Sequence, residues 1–373
     1  MPDFFDDQVP PLSVCLLSKY GRMGASSRLR SLQFVPYLKR YGFRITHSSL
    51  FDDAYLQNLY STGKRYFSSM LGAYLRRMRA LCESGSFDLL WIEKEALPYL
   101  PYGFESLLMP RGVPYVVDYD DAVFHNYDKS DFGLVRAVLG HKIDSVMVGA
   151  STVICGNDYL AARARQAGAS RIEHVPTVVD SGRYGENANV GGGDDKAVPV
   201  IGWIGSPSTE RYVLDLQSVL ASVCEGTGAR LMLVGARPEF AQRCESLPIE
   251  VVPWSEDTEA DYIARFDIGI MPLPDEPWER GKCGYKLIQY MASNKPVVAS
   301  PVGVNKQIVR EWDCGLLASD DAQWREALTL LITNESLRRR LGHQGRYAVE
   351  THYSTCVQVP RIARILRAAA NAH

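Results

Sequence analysis

The stretch that most constrains this chain runs from Phe266 to Ser300. Asp267 to Met271 is a short apolar run closed by Pro272, the pattern of a buried strand. Pro274 and Pro277 hold the next segment out of regular structure. Gly281 and Gly284 allow sharp turns and close approach of backbone to a ligand. Beyond Gly284 the spacing of Leu287, Ile288 and Met291 predicts a helix. Asn294 suits a left-handed stop, Pro296 blocks continuation, and Val297 to Ala299 reads as the next strand. A glycine-bearing loop thus delivers a helix N-terminus beside Lys282 and Lys286. Free backbone N–H groups, a positive helix end and two ammonium groups make an anion site, and a diphosphate is the natural guest. On spacing alone the alternative is an ordinary strand–loop–helix turn with solvated lysines.

At 373 residues the chain is long enough for two domains, because single cores rarely grow past about 250–300 residues. Its 46% apolar and 23% charged content is that of a soluble globular protein. A net charge of −2 gives no pull toward nucleic acid. The eight cysteines show no Cys-x-x-Cys and no ligand spacing, so they are expected reduced, in a cytoplasmic protein. Met1 to Pro11 is acidic and proline-bearing, unlike a signal peptide, and no apolar run approaches the length that spans a bilayer.

Taken in order, strands and helices alternate, as in an α/β protein. Leu12 to Ser18 is a strand; a loop with Gly21 and Gly24 leads to a helix from about Ser27, capped by Ser26 or Ser27. Arg28 and Arg30 fall in its first turn, where a cation opposes the helix dipole. An anionic ligand, a buried acid or a surface salt bridge would each account for them. Tyr60 to Leu81 reads as one basic, aromatic helix, suited either to packing on the sheet or to an anionic membrane surface. The strand ending at Ile92 is followed by Glu93, Lys94 and Glu95. The strand Pro114 to Asp118 runs into Asp120, Asp121 and His125, and ligands collect at such strand ends. Capping of the next turn is the structural alternative for Asp120 and Asp121. Residues 181–198, glycine-rich and poor in apolar side chains, read as a linker. The pattern restarts with the strand Val198 to Gly205 and a helix through about Val223. Trp254 follows the strand Ile249 to Val252, either to stack on a base or to join the core.

The segment Gln289-Tyr290-Met291-Ala292 with Pro296-Val297-Val298-Ala299-Ser300 resembles the donor loop of family 4 of the retaining glycosyltransferases, whose GT-B architecture has two Rossmann-like domains. In that family two glutamates with seven residues between them lead into this pattern. Here Gly281 and Gln289 stand in their places, and the GKCGYK form looks like a divergent sub-branch. The family's arginine and lysine for the donor diphosphate correspond to Ser206, just after Gly205, and Arg211. One cation is missing, and Lys282 or Lys286 is placed to supply it. Aligning on the PYVV strand puts Asp120 at the family's histidine and Asp121 at its aspartate. The loop of Gly21 and Gly24 is similar to the first glycine loop of GT-B enzymes. Asp118-Tyr119-Asp120 also matches the Asp-x-Asp metal motif of the other glycosyltransferase architecture, a pattern short enough to arise by chance.

The resemblance implies an α/β, GT-B chain: two doubly wound domains facing each other across a cleft. Residues 1–180 would hold the acceptor, 199–356 the nucleotide sugar, and the helix 357–373 would cross back to the first domain. The implied reaction moves a sugar from a nucleotide-diphosphate donor to a hydroxyl of a glycan or lipid-linked acceptor, with retention and without a metal or other cofactor. Arg211, Lys286, Asp120 and Asp121 would carry the chemistry. Gly205, Ser206, Lys282, Cys283, Gly284, Tyr285, Gln289, Glu279 and Trp254 would line the donor. Gly21, Gly24, Arg28 and His125 would lie on the acceptor side. No nucleic-acid partner is expected; peripheral contact with the inner face of a membrane would run through 60–81. Two rival classes stand beside this: a nucleotide-sugar epimerase or hydrolase on the same fold, and a non-catalytic nucleotide-sugar-binding or partner protein.

Overall fold

The computed structural model describes residues 10–63, 66–185, 198–244 and 247–371. The chain divides into two compact units. One extends to Thr177 and takes the chain up again from Thr355; the other is Val178–Ser354. The passage between them precedes the glycine-rich tract that the sequence marks as a linker. Within that tract Ser181–Arg183 forms a 3-10 turn and Tyr184 is buried in the second unit; residues 186–197 lie outside the described residues.

The first unit has six parallel strands: β1 (Leu12–Tyr20), β2 (Phe43–Phe51), β3 (Leu89–Glu93), β4 (Tyr115–Tyr119), β5 (Thr152–Cys155) and β6 (Ile172–His174). Their order is β2-β1-β3-β4-β5-β6. The second unit has β7 (Val200–Ile204), β8 (Arg230–Val234), β9 (Ile249–Val252), β10 (Ile268–Met271), β11 (Val297–Ala299) and β12 (Gly315–Leu317). Their order is β12-β11-β10-β7-β8-β9, again all parallel. Parallel sheets are covered by helices on both faces, so their strands need apolar residues at every position. Every residue of β3, β4, β5, β7, β10 and β11 is buried.

Each strand order reverses once, between β1 and β3 in the first sheet and between β7 and β10 in the second. At such a reversal neighbouring connections leave on opposite faces, and a crevice opens at the carboxyl ends of the strands. In the second unit the opening is visible in the pairing. Gly202 of β7 and Gly269 of β10 lie opposite each other. A Cβ on Gly202 would sit 2.0 Å from the Phe266 ring, and one on Gly269 would sit 2.2 Å from the Tyr290 ring. Past this pair the Tyr290 hydroxyl bridges the strands, accepting from the Ile204 N–H (3.1 Å) and donating to the Ile270 carbonyl (3.2 Å).

Several helices differ from the sequence expectation. The helix expected from Ser27 begins at Ala25 and stops at Arg30 (α1), continuing only as short turns over 32–38. Ser31 donates its hydroxyl to the Ser27 carbonyl (2.9 Å), and Pro36 has no N–H to extend the ladder. The expected single helix 60–81 is two, α2 (Asp53–Thr62) and α3 (Phe67–Cys82). Gly63 ends α2 in the left-handed conformation, with φ 66°; Lys64 and Arg65 lie outside the described residues. The helix expected through Val223 breaks into Arg211–Leu214 and Gln217–Thr227. In the key stretch, α4 (Pro277–Arg280) is one added turn, and α5 (Tyr285–Ala292) starts after Gly284 as expected. The last helix, α6 (Thr355–Ala370), belongs to the first unit, where Arg367 caps Phe43 by a cation–π contact at 5.1 Å.

Candidate functional site

In the second unit the loops after β7 and β10 meet at the strand reversal. Gly284 opens α5 with φ 68°, and a Cβ there would lie 2.7 Å from Ile308 Cδ1, so both conformation and space demand glycine. No side chain caps α5, which leaves its positive end for an outside acceptor. Lys286, in the first turn, stands 4.8 Å over the Trp203 ring and 3.5 Å from Thr209 Oγ1. Lys282 lies 6.0 Å over the Trp278 ring. Loop 205–211 and the start of α5 thus lie side by side.

The electrostatics of this corner are unbalanced. Among the described residues Lys286 has no carboxylate within ion-pair distance. Burial, and then the neighbouring charge of Lys282, pull its pKa down from 10.5 to about 7. Glu279 on α4 is buried, and its Oε1 accepts from the Tyr212 hydroxyl. Arg211 Nη2 is 3.7 Å from the same oxygen and 3.1 Å from the Tyr212 hydroxyl. Glu279 Oε2 is buried with no hydrogen-bond partner among the described residues. A cation short of a counterion and an acceptor short of a donor thus occupy neighbouring turns. The first suits an anion and the second a hydroxyl. The Arg211 side chain is 67% exposed and free to turn toward a ligand.

Other donor-side residues have local roles. Gly205 is needed because a Cβ would strike the Trp203 ring at 2.3 Å. The Ser206 hydroxyl pairs with Ser208 (2.8 Å), and Cys283 is buried with its thiol toward the Gly281 carbonyl (3.9 Å). Tyr285 is half-buried against the core. Gln289 is buried and donates to the Tyr184 hydroxyl (3.1 Å). Tyr184 donates to Glu259 (3.3 Å), which also accepts the Trp254 indole N–H (2.8 Å). Trp254 is half-buried against the core, with its N–H fixed inward and its Cβ beside Gly235.

In the first unit the reversal between β1 and β3 gathers a second cluster. Lys94, one residue past β3, has a left-handed backbone, φ 64°, unusual for a side chain of its size. Its ammonium lies 2.9 Å from Asp120 and 3.4 Å from Asp121, and donates to Ser26 (3.0 Å). Burial pushes the Asp120 carboxyl up, but Lys94 and Arg30 outweigh it and hold it below its ordinary value. Burial raises the neighbouring Glu93. Glu93 Oε2 accepts from the Lys19 N–H (2.9 Å) and the Ser27 hydroxyl (2.5 Å). The expected Ser cap of α1 therefore fails: the N-cap is Gly24, without a side-chain cap, and Ser27 turns to Glu93.

Because α1 runs only from Ala25 to Arg30, Arg28 and Arg30 fall in its last turn and not its first, where a cation suits the helix dipole. Arg30 is paired with the buried Asp118 at 2.7 Å. Arg28 is buried and donates to the Arg22 carbonyl (3.1 Å), bracing the glycine loop. Gly21 is pressed against Asp53 and Gly24 against Tyr20, where a Cβ would sit at 2.4 Å in each case. His125 is not brought to the acids; its ring nitrogens bond Asp128 and Tyr159, both at 2.8 Å. Asp118 is paired with Arg30 and Asp120 with Lys94. No group of three or more His, Cys, Asp or Glu among the described residues is arranged to hold a metal.

Residues 198–334 match the family model of glycosyl transferases group 1. The match lies wholly inside the second unit and includes both loops of the donor-side cluster. No curated protein matches the chain. Among solved structures, sucrose-phosphate synthase from Thermosynechococcus elongatus superimposes with a TM-score of 0.69 at 16% identity, over 96% of this chain and 100% of that one. A glycosyltransferase from Rickettsia africae gives 0.70 at 13%, over 97% and 100%. Anabaena HepE, in complex with UDP and glucose, gives 0.69 at 16%, over 96% and 100%. The fold is the two-domain α/β fold of GT-B glycosyltransferases.

Tyr212, Trp203 and Thr209 were not singled out by sequence reasoning, and Lys94 was noted without its partners. Lys94 had a signal in its place at a strand end; Tyr212 had only its adjacency to Arg211. The partners of Trp203 and Thr209 come from α5, far along the chain, and no local pattern announces them.

Proposed function

We propose that this protein is a glycosyltransferase that takes a nucleotide-diphosphate sugar on its second unit and passes the sugar to a glycan or lipid-linked acceptor engaged by the first. The observation that carries this is the pairing of Lys286, a cation without a carboxylate partner among the described residues, with the uncapped start of α5. Both call for a multiply charged anion. In the reaction the anomeric carbon–oxygen bond to the diphosphate breaks, the acceptor oxygen forms the new bond, and its proton is lost. The diphosphate leaves with the bonding electrons, so fixed positive charge at its oxygens lowers the barrier. Lys286, Lys282 and Arg211 would carry that charge, which is why we read the transfer as independent of a metal.

Glu279 would accept a hydrogen bond from a sugar hydroxyl through its unpartnered oxygen. Gln289, with one amide N–H given to Tyr184, would meet ribose hydroxyls through its carbonyl oxygen and its second N–H. The lowered pKa of Asp120 suits it to orienting the acceptor hydroxyl rather than deprotonating it. Retention, a hexosyl donor and a place in polysaccharide biosynthesis follow from the resemblance to family 4. We place the protein in the cytoplasm, at the inner face of the membrane, with α3 as its peripheral contact. No helix among the described residues is long and apolar enough to cross a membrane.

The test is a thermal-shift screen of nucleoside diphosphates and nucleotide sugars, since a ligand of the native state raises its melting point. Hits then go into a turnover assay with and without glycan acceptors. Acceptor-dependent transfer supports the reading. Free sugar without acceptor marks a hydrolase, a changed donor sugar marks an epimerase, and binding with no turnover marks a non-catalytic protein.

A further inference from the structure

Apart from the two strand-end clusters, the first unit contains a cavity of about 230 Å³. Phe51, Asp52, Tyr55, Asn58, Tyr66 and Arg76 are in its lining. Phe51 ends β2 and Tyr55 opens α2; their rings stack with centroids 4.4 Å apart and planes at 22°. Tyr20, at the end of β1, continues the row 5.9 Å from Phe51. The cavity therefore lies at the carboxyl end of the edge strand β2, one strand from the reversal. It adjoins the glycine loop after β1: the Gly21 N–H donates to the Phe51 carbonyl (3.1 Å), and Asp53 accepts the Met23 N–H (2.9 Å).

The lining selects a chemistry. Asp52 caps α2 by accepting the Tyr55 N–H (2.9 Å) and lies 3.9 Å from Arg76. Both side chains are more than half exposed, so this pair is weak and its polar atoms remain available to a ligand. One acid and one base cancel, which disfavours a strongly charged guest. The carboxylate, amide and guanidinium disfavour an alkyl chain. Half-buried Tyr55, backed by the buried Phe51, and exposed Tyr66, flanked by both donors and acceptors, match a sugar ring, whose C–H faces are apolar and whose hydroxyls donate and accept. The volume falls below the roughly 300 Å³ at which drug-sized pockets begin, which is room for a single ring.

We propose that this cavity is an acceptor subsite holding one uncharged sugar ring of a glycan. The proposal rests on the glycosyl-transfer reading and names its acceptor class. From β2 to β4 is three strand intervals, roughly 14 Å, so a sugar held here is separated from Asp120 by more than one ring. The acceptor is then an oligosaccharide engaged at a distance from the reacting hydroxyl.

Saturation-transfer NMR on the full chain, with maltotriose, cellotriose, mannotriose and chitotriose as probes, tests this. At least one trisaccharide binds the wild type, and its affinity falls at least tenfold in N58A and R76A. Both positions are exposed, so the fold survives, and nucleoside-diphosphate affinity stays unchanged. Absence of binding by all four probes overturns the proposal, as does binding that survives in both variants. The probes carry no nucleotide, so this failure is separate from that of the donor reading, which falls if no nucleoside diphosphate binds.

Discussion

The Lys286 ammonium stands 4.8 Å over the ring of Trp203, with Thr209 Oγ1 at 3.5 Å and no carboxylate among the described residues within pairing distance. An aromatic face compensates a desolvated ammonium only in part, by about 0.5–2 kcal/mol. The remainder appears as the fall of its pKa to about 7. A bound diphosphate reverses this, because it favours the charged form. At pH 8, where the free site is mostly neutral, binding takes up a proton. Calorimetry at pH 8 in buffers of different ionisation enthalpy reads that uptake directly, and K286M abolishes it. Affinity in the wild type declines as pH rises through 7.

The same group has a folding consequence of the opposite sense to an ion pair. Unfolded, the lysine titrates near 10.4; folded, near 7. Between these values the unfolded chain holds more protons, so the contribution of Lys286 to stability rises with pH. Below pH 7 the fold carries a charged, poorly compensated ammonium. K286M is therefore more stable than wild type at pH 6, and the difference narrows toward pH 9. Melting curves of the two proteins across this range check the sign. Replacement by alanine lowers turnover at least about 100-fold, roughly 3 kcal/mol of lost transition-state stabilisation; near-normal turnover removes Lys286 from the mechanism.

On the proposed reading, Glu279 would separate recognition of the sugar from recognition of the diphosphate. Its Oε1 is held by Tyr212, while the buried Oε2 has no partner among the described residues. A hydrogen bond to a charged group contributes about 1.5–3 kcal/mol, or roughly 10- to 100-fold in affinity. E279Q weakens the nucleotide sugar by that factor and leaves the nucleoside diphosphate within about twofold. Equal losses for both ligands would place Glu279 under the phosphates instead of the sugar.

These two predictions show what was legible in the sequence and what was not. The strand, Gly284, α5 and the Asn294 stop follow from local rules: an apolar run, a glycine where φ is positive, a left-handed asparagine at φ 56°. Local rules fail where a side chain is claimed from far along the chain. Ser27, read as a cap, lies inside α1, which begins at Ala25, and its hydroxyl goes to Glu93, sixty-six positions on. The bond from Gln289 to Tyr184, which lies within the linker tract, has no local pattern to announce it. The Asp120 and Asp121 cluster was readable as acids at a strand end; its neutralisation by Lys94 depends on β3 and β4 lying side by side.

That neutralisation has its own consequences. Asp120 is held below its ordinary pKa, so the stability it contributes is present at neutral pH and is lost as pH falls through the folded value. Removing Lys94 strands a buried carboxylate, at a cost of about 3–5 kcal/mol. K94M is destabilised by that order at pH 7, and the gap to wild type shrinks at pH 4.5, where the acid takes a proton. D120N keeps nucleotide affinity but loses transfer. If its nucleotide affinity collapses, the acid belongs to the donor and not to the acceptor.

On α3, Phe67, Leu71 and Leu75 recur every fourth residue and are 79%, 51% and 57% exposed. Side chains four apart share one face of a helix, so these three form a continuous apolar stripe. The helix carries no acidic residue, and Arg76 and Arg79 flank the stripe in solvent. An apolar face bordered by cations suits the boundary of an anionic bilayer, where both the buried area and the charge contribute. The protein therefore sediments with vesicles containing phosphatidylglycerol, and less with phosphatidylcholine alone. The double variant F67S/L71S loses most of this binding while its melting temperature changes little, because the removed side chains already face water. Sedimentation equal to wild type in that variant would leave α3 as a solvent-facing helix with no part in membrane contact.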